Sequence, residues 1–114
     1  MAKQPISTEL GELNLNCDIR AIDDYGREII IESKKALRVF GARDVSKFGT
    51  VLLAKVKNNC IAIGCPIFIR SNNKEIQDEI ASLEIERERI NIALANEKVG
   101  ICLRNTDIYY LQNL

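Results

Sequence analysis

Lys74-Glu75-Ile76-Gln77-Asp78-Glu79-Ile80-Ala81-Ser82-Leu83-Glu84-Ile85-Glu86-Arg87 decides the fold class. Ile76, Ile80 and Leu83 are spaced by four and three among good helix formers. Taken alone, that pattern suggests an amphipathic helix. Leu83-Glu84-Ile85-Glu86-Arg87, however, alternates apolar with polar, as a half-buried strand does. A helix here makes the chain α+β; a strand makes it all-β. Propensity alone favours the helix.

The flanks on both sides read as strands. Downstream, Val99, Ile101 and Leu103 alternate after the polar turn Asn96-Glu97-Lys98, and Asp107-Ile108-Tyr109-Tyr110-Leu111 is β-prone and aromatic. Upstream, Ser71-Asn72-Asn73-Lys74 is a turn. Before it, Ile61, Ile63, Ile67 and Ile69 read as one strand face interrupted by Gly64 and Pro66. Pro66 lacks a ladder donor and belongs at a strand start or edge. Gly49 to Lys57 carries Val51, Leu52, Leu53 and Val56, and Asn58-Asn59 turns the chain. Leu37 to Phe40 is a short strand ended by Gly41. Leu13, Leu15, Cys17 and Ile19 alternate with polar residues, and Glu28 to Glu32 is the returning strand of a hairpin across Asp23-Asp24-Tyr25-Gly26. The first twelve residues show no period and read as a loose arm. Seven to eight short, closely spaced strands predict a small all-β antiparallel barrel in one domain, 1–114.

Four pieces also carry a family resemblance. Gly49-Thr50-Val51-Leu52-Leu53-Ala54-Lys55-Val56 resembles an opening barrel strand, and Ile63-Gly64 with Ile67-Phe68-Ile69 resembles the next. Ser82-Leu83-Glu84-Ile85 resembles a third, and Ala93 through Arg104 resembles the turn and strand that follow. In this order, over residues 44–109, they resemble the β-barrel second domain of elongation factor Tu and related translation GTPases. The resemblance implies that Ile80–Arg87 is a strand and that 41–114 is the barrel, with 1–40 an added arm and hairpin. It places Asn59 where the family usually has glycine, and Gly100 where strands pack closely. The family often has charges around Ala62, Cys65, Pro66 and Phe68; this chain has none there.

The chemistry of a GTPase is missing from the sequence. None of the glycines begins a Gly-x-x-x-x-Gly-Lys-Ser/Thr loop, and Asn73-Lys74-Glu75-Ile76 lacks the aspartate of a guanine-reading motif. No nucleotide, other cofactor or catalytic residue is expected. The chain has no His, so the commonest general base is absent. Its four cysteines, Cys17, Cys60, Cys65 and Cys102, lack the paired spacing of a zinc site and read as small apolar fillers, with no metal expected. Asp23-Asp24 reads as turn chemistry. Glu84, Glu86 and Glu88 read as one solvated strand face, partly neutralised by Arg87, Arg89 or a neighbouring strand.

Lys+Arg and Asp+Glu are 16 each, so net charge provides no general attraction to nucleic acid or to an anionic membrane. No apolar run approaches the roughly 20 residues of a membrane span, and Met1-Ala2-Lys3-Gln4-Pro5 has no signal-peptide core. The expected compartment is the cytoplasm.

Two binding readings follow. Lys55, Lys57, Arg87, Arg89, Lys98 and Arg104 are the candidate contacts for RNA or a ribonucleoprotein, the kind of partner the resemblance implies. Leu53, Ala62, Cys65 and Phe68 are apolar where a barrel's outer face should be polar. They predict a face covered by the hairpin of residues 13–33 and by a second copy, in a homodimer. The second reading is therefore a protein-interaction adaptor or homo-oligomer without RNA.

Overall fold

The computed structural model describes residues 9–40 and 48–114. Of the twelve residues read as a loose arm, 1–8 lie outside them, as do the strand end at Gly41 and the Asp44-Val45 loop; residues 9–12 are not loose but open strand β1, held by pairing with β3. Ten strands and a short helix run in the order β1 Glu9–Asn14, β2 Asp18–Ile22, β3 Glu28–Phe40, β4 Phe48–Val56, β5 Ile61–Ala62, β6 Pro66–Ser71, β7 Lys74–Ile85, β8 Glu88–Ile90, β9 Ile92–Ala93, β10 Lys98–Leu103 and α1 Ile108–Gln112. The sheet order β3-β2-β6-β7-β10-β4, with β4 pairing back onto β3, closes an antiparallel barrel. The hairpin β2–β3 is thus part of the barrel wall, and β1, paired to β3, lies outside the closed ring.

The stretch that decides the fold class is strand β7, and a bulge explains why it looks helical. On β10, Cys102 pairs with Ser82 but the next residue, Leu103, pairs with Ile80. Ala81 is the extra residue, and one extra residue reverses the inside–outside phase of a strand. Ile80 and Leu83 are therefore both fully buried although three apart. The spacing of four from Ile76 to Ile80 is two ordinary strand periods. β7 ends at Ile85, and Glu86 (φ 52°) with Arg87 (φ 70°) makes the tight turn into β8.

A second bulge shapes β3. Its register with β4 shifts between Ser33 and Lys35. Ile29, Ile31 and Ser33 face inward before the shift, and Ala36 is the buried residue after it. The Ser33 hydroxyl sits 3.1 Å from the Lys35 carbonyl and 2.8 Å from that of Leu53, serving acceptors at the irregularity. Leu37–Phe40, expected as a separate strand, continues β3. The segment expected as one strand from Leu13 to Ile19 is instead split. β1 pairs with the upper half of β3 and β2 with the lower half.

The core is aliphatic: Ile19, Ile29, Ile31, Leu52, Val56, Ile67, Ile69, Ile80, Leu83, Val99, Ile101 and Leu103 point inward. Each end has its own plug. At one end α1 inserts Ile108 and Leu111. This segment was expected to be β-prone; Asp107 caps it by accepting from the Tyr109 N–H at 3.0 Å, and the i, i+3 pair buries one helix face. At the other end the two-stranded ladder β5–β9 inserts Ile61 and Ala93.

Ile63, expected on the core face, lies in the β5–β6 turn and is exposed. Gly64 supplies that turn with φ 93°, and Asn59 adopts φ 57°, a left-handed conformation that Asn tolerates better than most residues. Gly100 is not forced by strand packing: an added Cβ would meet Val51 Cγ1 at 3.4 Å, an ordinary contact.

Candidate functional site

The six basic candidates are spread over the barrel and interspersed with carboxylates. Lys55 and Lys98 are register partners on β4 and β10. They line an open groove of about 550 Å³ with Lys34, and the same groove carries Glu32, Glu84 and Glu86. Lys57 lies 4.0 Å from Glu32. Arg104 is at the far end of β10, 3.3 Å from Glu79. Arg89 pairs in register with Glu84, and Arg87 stands exposed in the β7–β8 turn. Glu84, Glu86 and Glu88 do not share one strand face as expected, because the turn at Glu86-Arg87 puts Glu88 on the returning strand. A stripe tracking a phosphate backbone needs a run of uncompensated cations. This surface alternates the two signs.

The four apolar candidates do not form one face. Leu53 points outward from β4 and is 45% exposed. Phe68 points outward from β6, which lies three strands from β4 in either direction around the barrel. Phe68 is half-buried, and the Arg20 guanidinium lies over its ring, 5.0 Å from the centroid. Arg20 belongs to the N-terminal hairpin, so the partial cover of Phe68 comes from the neighbouring strand. Cys65 belongs to the core cluster, and only Ala62 and Cys65 line a common hollow.

That hollow, at the β5–β9 end, is the most distinctive surface among the described residues. Its volume is about 700 Å³, and Tyr25, Cys60, Ala62, Ile63, Gly64 and Leu94 are among the residues lining it. Ile92, the outward residue paired with Ala62, adjoins it. Four of the large exposed apolar side chains gather here: Tyr25, Ile63, Ile92 and Leu94. β5–β9 is apolar on both faces, since Ile61 and Ala93 face the core and Ala62 and Ile92 face out. Single exposed apolar residues are ordinary; a contiguous cluster marks a contact surface.

Tyr25 is held rather than trailing. The Asp23 carboxylate accepts the Tyr25 N–H at 2.9 Å, the Arg27 N–H at 2.8 Å and Arg27 Nε at 2.7 Å. Gly26 completes the turn with φ 79°. The Arg27 guanidinium lies 5.1 Å from the Tyr25 ring centroid. Desolvation pushes the Asp23 carboxyl up, but the Arg27 and Tyr25 hydrogen bonds and the Arg27 charge outweigh it, leaving it below its ordinary value.

Sequence reasoning identified this turn but not the surface it joins. Ile63 was placed in the core, and nothing marked Ile92 or Leu94 as neighbours of Tyr25. Among the described residues no cluster of His, Cys, Asp or Glu is arranged to hold a metal ion. No described helix is long and apolar enough to cross a membrane, which says nothing of crossing by strands. The chain matches no family model, no curated protein and no solved structure.

Proposed function

We propose that the chain is a non-catalytic protein-binding module, a barrel of the translation-factor type that works through its Tyr25–Leu94 end. The observation that carries this reading is the gathering of exposed Tyr25, Ile63 and Leu94 around one hollow, with exposed Ile92 paired in register to its lining residue Ala62. Burying such side chains yields roughly 25 cal/mol per Å² of apolar area. The translation-factor element rests on the ordered residue pieces of the sequence and agrees with the closed antiparallel barrel. RNA is the disfavoured ligand, because the basic residues that line the groove sit among Glu32, Glu84 and Glu86.

The test is affinity capture with the wild-type chain and with Leu94→Glu, followed by assay of the eluates for both protein and RNA. The expected result is a protein partner, resistant to ribonuclease, that Leu94→Glu loses. Recovery of RNA by both chains, with affinity falling about 10³-fold between 50 and 200 mM salt, would establish the RNA reading instead.

A further inference from the structure

We infer that the Tyr25–Leu94 end binds a second copy of this chain, each copy placing its Tyr25 in the hollow of the other. This rests on reading that end as a protein-binding surface and names its partner. An isologous interface meets itself, so residue i of one copy touches residue j of the other and the reverse. The patch must therefore contain both a projection and a receptacle, and its centre must carry no charge that would face its own kind.

This end meets both conditions. The projection is Tyr25, 84% exposed at the tip of the β2–β3 turn. Asp23 and Arg27 fix the turn beneath it, so little conformational freedom is left to lose on docking. The receptacle lies beside it: Ala62, Ile63, Gly64 and Leu94 supply its apolar lining, and Asp23, Asp24 and Arg27 of the Tyr25 turn also line it. Gly64 leaves open space above its Cα, with no heavy atom within 4 Å of where a Cβ would stand.

The charges suit the same partner. The Asp23–Arg27 pair is internally neutral. Arg27 bonds Asp23 through Nε alone, which leaves its terminal nitrogens as donors, while the neighbouring Asp24 is exposed and its carboxylate meets no hydrogen-bond or ion-pair partner among the described residues. A rim with one spare guanidinium edge and one spare carboxylate matches a copy of itself. The groove on β4 and β10 does not. A two-fold axis running between those strands would set Lys55 against the partner's own Lys98, a like-charge meeting.

The experiment is sedimentation equilibrium on the wild-type chain, on Tyr25→Ala (no projection) and on Ala62→Arg (hollow blocked). Circular dichroism checks the fold of each. Leu94→Glu replaces Ala62→Arg if the latter is misfolded. The wild type is expected to approach twice the 12.9 kDa of the chain as concentration rises. Each variant alone should raise the dimer Kd by about thirty-fold or more, the loss typical of an interface anchor. Mixing the two variants should restore a heterodimer, because one intact projection then meets one intact hollow.

A wild-type dimer indifferent to both substitutions overturns the inference and removes this end as the binding surface. A wild type monomeric to 1 mM also overturns it. If Tyr25→Ala and Ala62→Arg then lose a captured foreign protein, the protein-binding reading survives and only the second copy is wrong.

Discussion

The two ends of the barrel solve the same problem differently. Both are plugged by chain segments that insert aliphatic residues into the core: α1 with Ile108 and Leu111, β5–β9 with Ile61 and Ala93. They differ on the side away from the core. The exposed positions of α1 and its C-cap are Tyr109, Tyr110, Gln112 and Asn113, all with polar tips. Arg38 lies over the Tyr109 ring at 5.7 Å. The other plug turns out Ile63, Ile92 and Leu94, which have no polar atoms in their side chains. A plug needs only one apolar face, so closure does not require the second apolar face at the β5–β9 end.

The helix end is also tied by a buried carboxylate that has no counterpart among the described residues of the other end. Asp78 is 6% exposed and faces the interior from β7. It accepts from the Asn105 N–H at 3.1 Å, from Asn105 Nδ2 at 3.3 Å, from the Thr106 N–H at 2.7 Å and from the Thr106 hydroxyl. It also accepts the N–H of Glu79 at 2.7 Å. These bonds hold the segment between β10 and α1 across the barrel mouth. Asp78→Ala should have the largest effect, because it strands the two buried Thr106 donors together with the part-buried donors of Asn105 and Glu79. The expected loss is about 3 kcal/mol or more in a urea titration. A loss under about 1 kcal/mol would mean that the helix end closes without this tie, and the contrast between the ends would rest on side-chain polarity alone.

The next effect separates the two ends directly. Leu111→Ala removes a buried plug residue and should cost about 2–4 kcal/mol. Leu94→Ala removes an exposed aliphatic and should change the stability of the dilute chain by no more than about 0.5 kcal/mol. Equal losses from both, measured by thermal unfolding, would show that Leu94 already has a structural cover within the chain.

Much of the barrel was legible, because alternation along β2, β4, β6 and β10 reports one buried face directly. What was not legible came from tertiary geometry. The bulge at Ala81 made Ile80 and Leu83 look like helix neighbours, and only pairing with β10 shows that one residue is extra. The bulge before Lys35 hid the continuity of β3 in the same way. α1 was missed because Tyr109 and Tyr110 have strand propensity, while the cap at Asp107 and the burial of Ile108 and Leu111 decide otherwise. The hollow was illegible for a different reason. Tyr25, Ile63 and Leu94 sit in three separate turns, and nothing local says that the barrel brings those turns together. Asp78 gave no signal either, since its donors are in residues 105 and 106.

The smallest effect concerns the turn that presents Tyr25. The Asp23 carboxyl is held below its ordinary value of 3.8 in the folded chain. A carboxyl with a depressed folded pKa contributes stability that is fully present above its unfolded pKa. That contribution is lost as pH falls through the folded pKa. Asp23→Asn keeps an oxygen that can accept the Tyr25 and Arg27 N–H groups but removes the charge facing the Arg27 guanidinium. The variant should therefore be slightly less stable than the wild type at neutral pH, and the gap should close as pH falls below about 4. Urea midpoints of both chains between pH 7 and pH 2.5 measure it. A gap that stays constant over that range would mean that the ionised carboxylate does not stiffen the turn. The rigidity assigned to Tyr25, and with it one difference between the two ends, would then rest on the neutral hydrogen bonds and on Gly26.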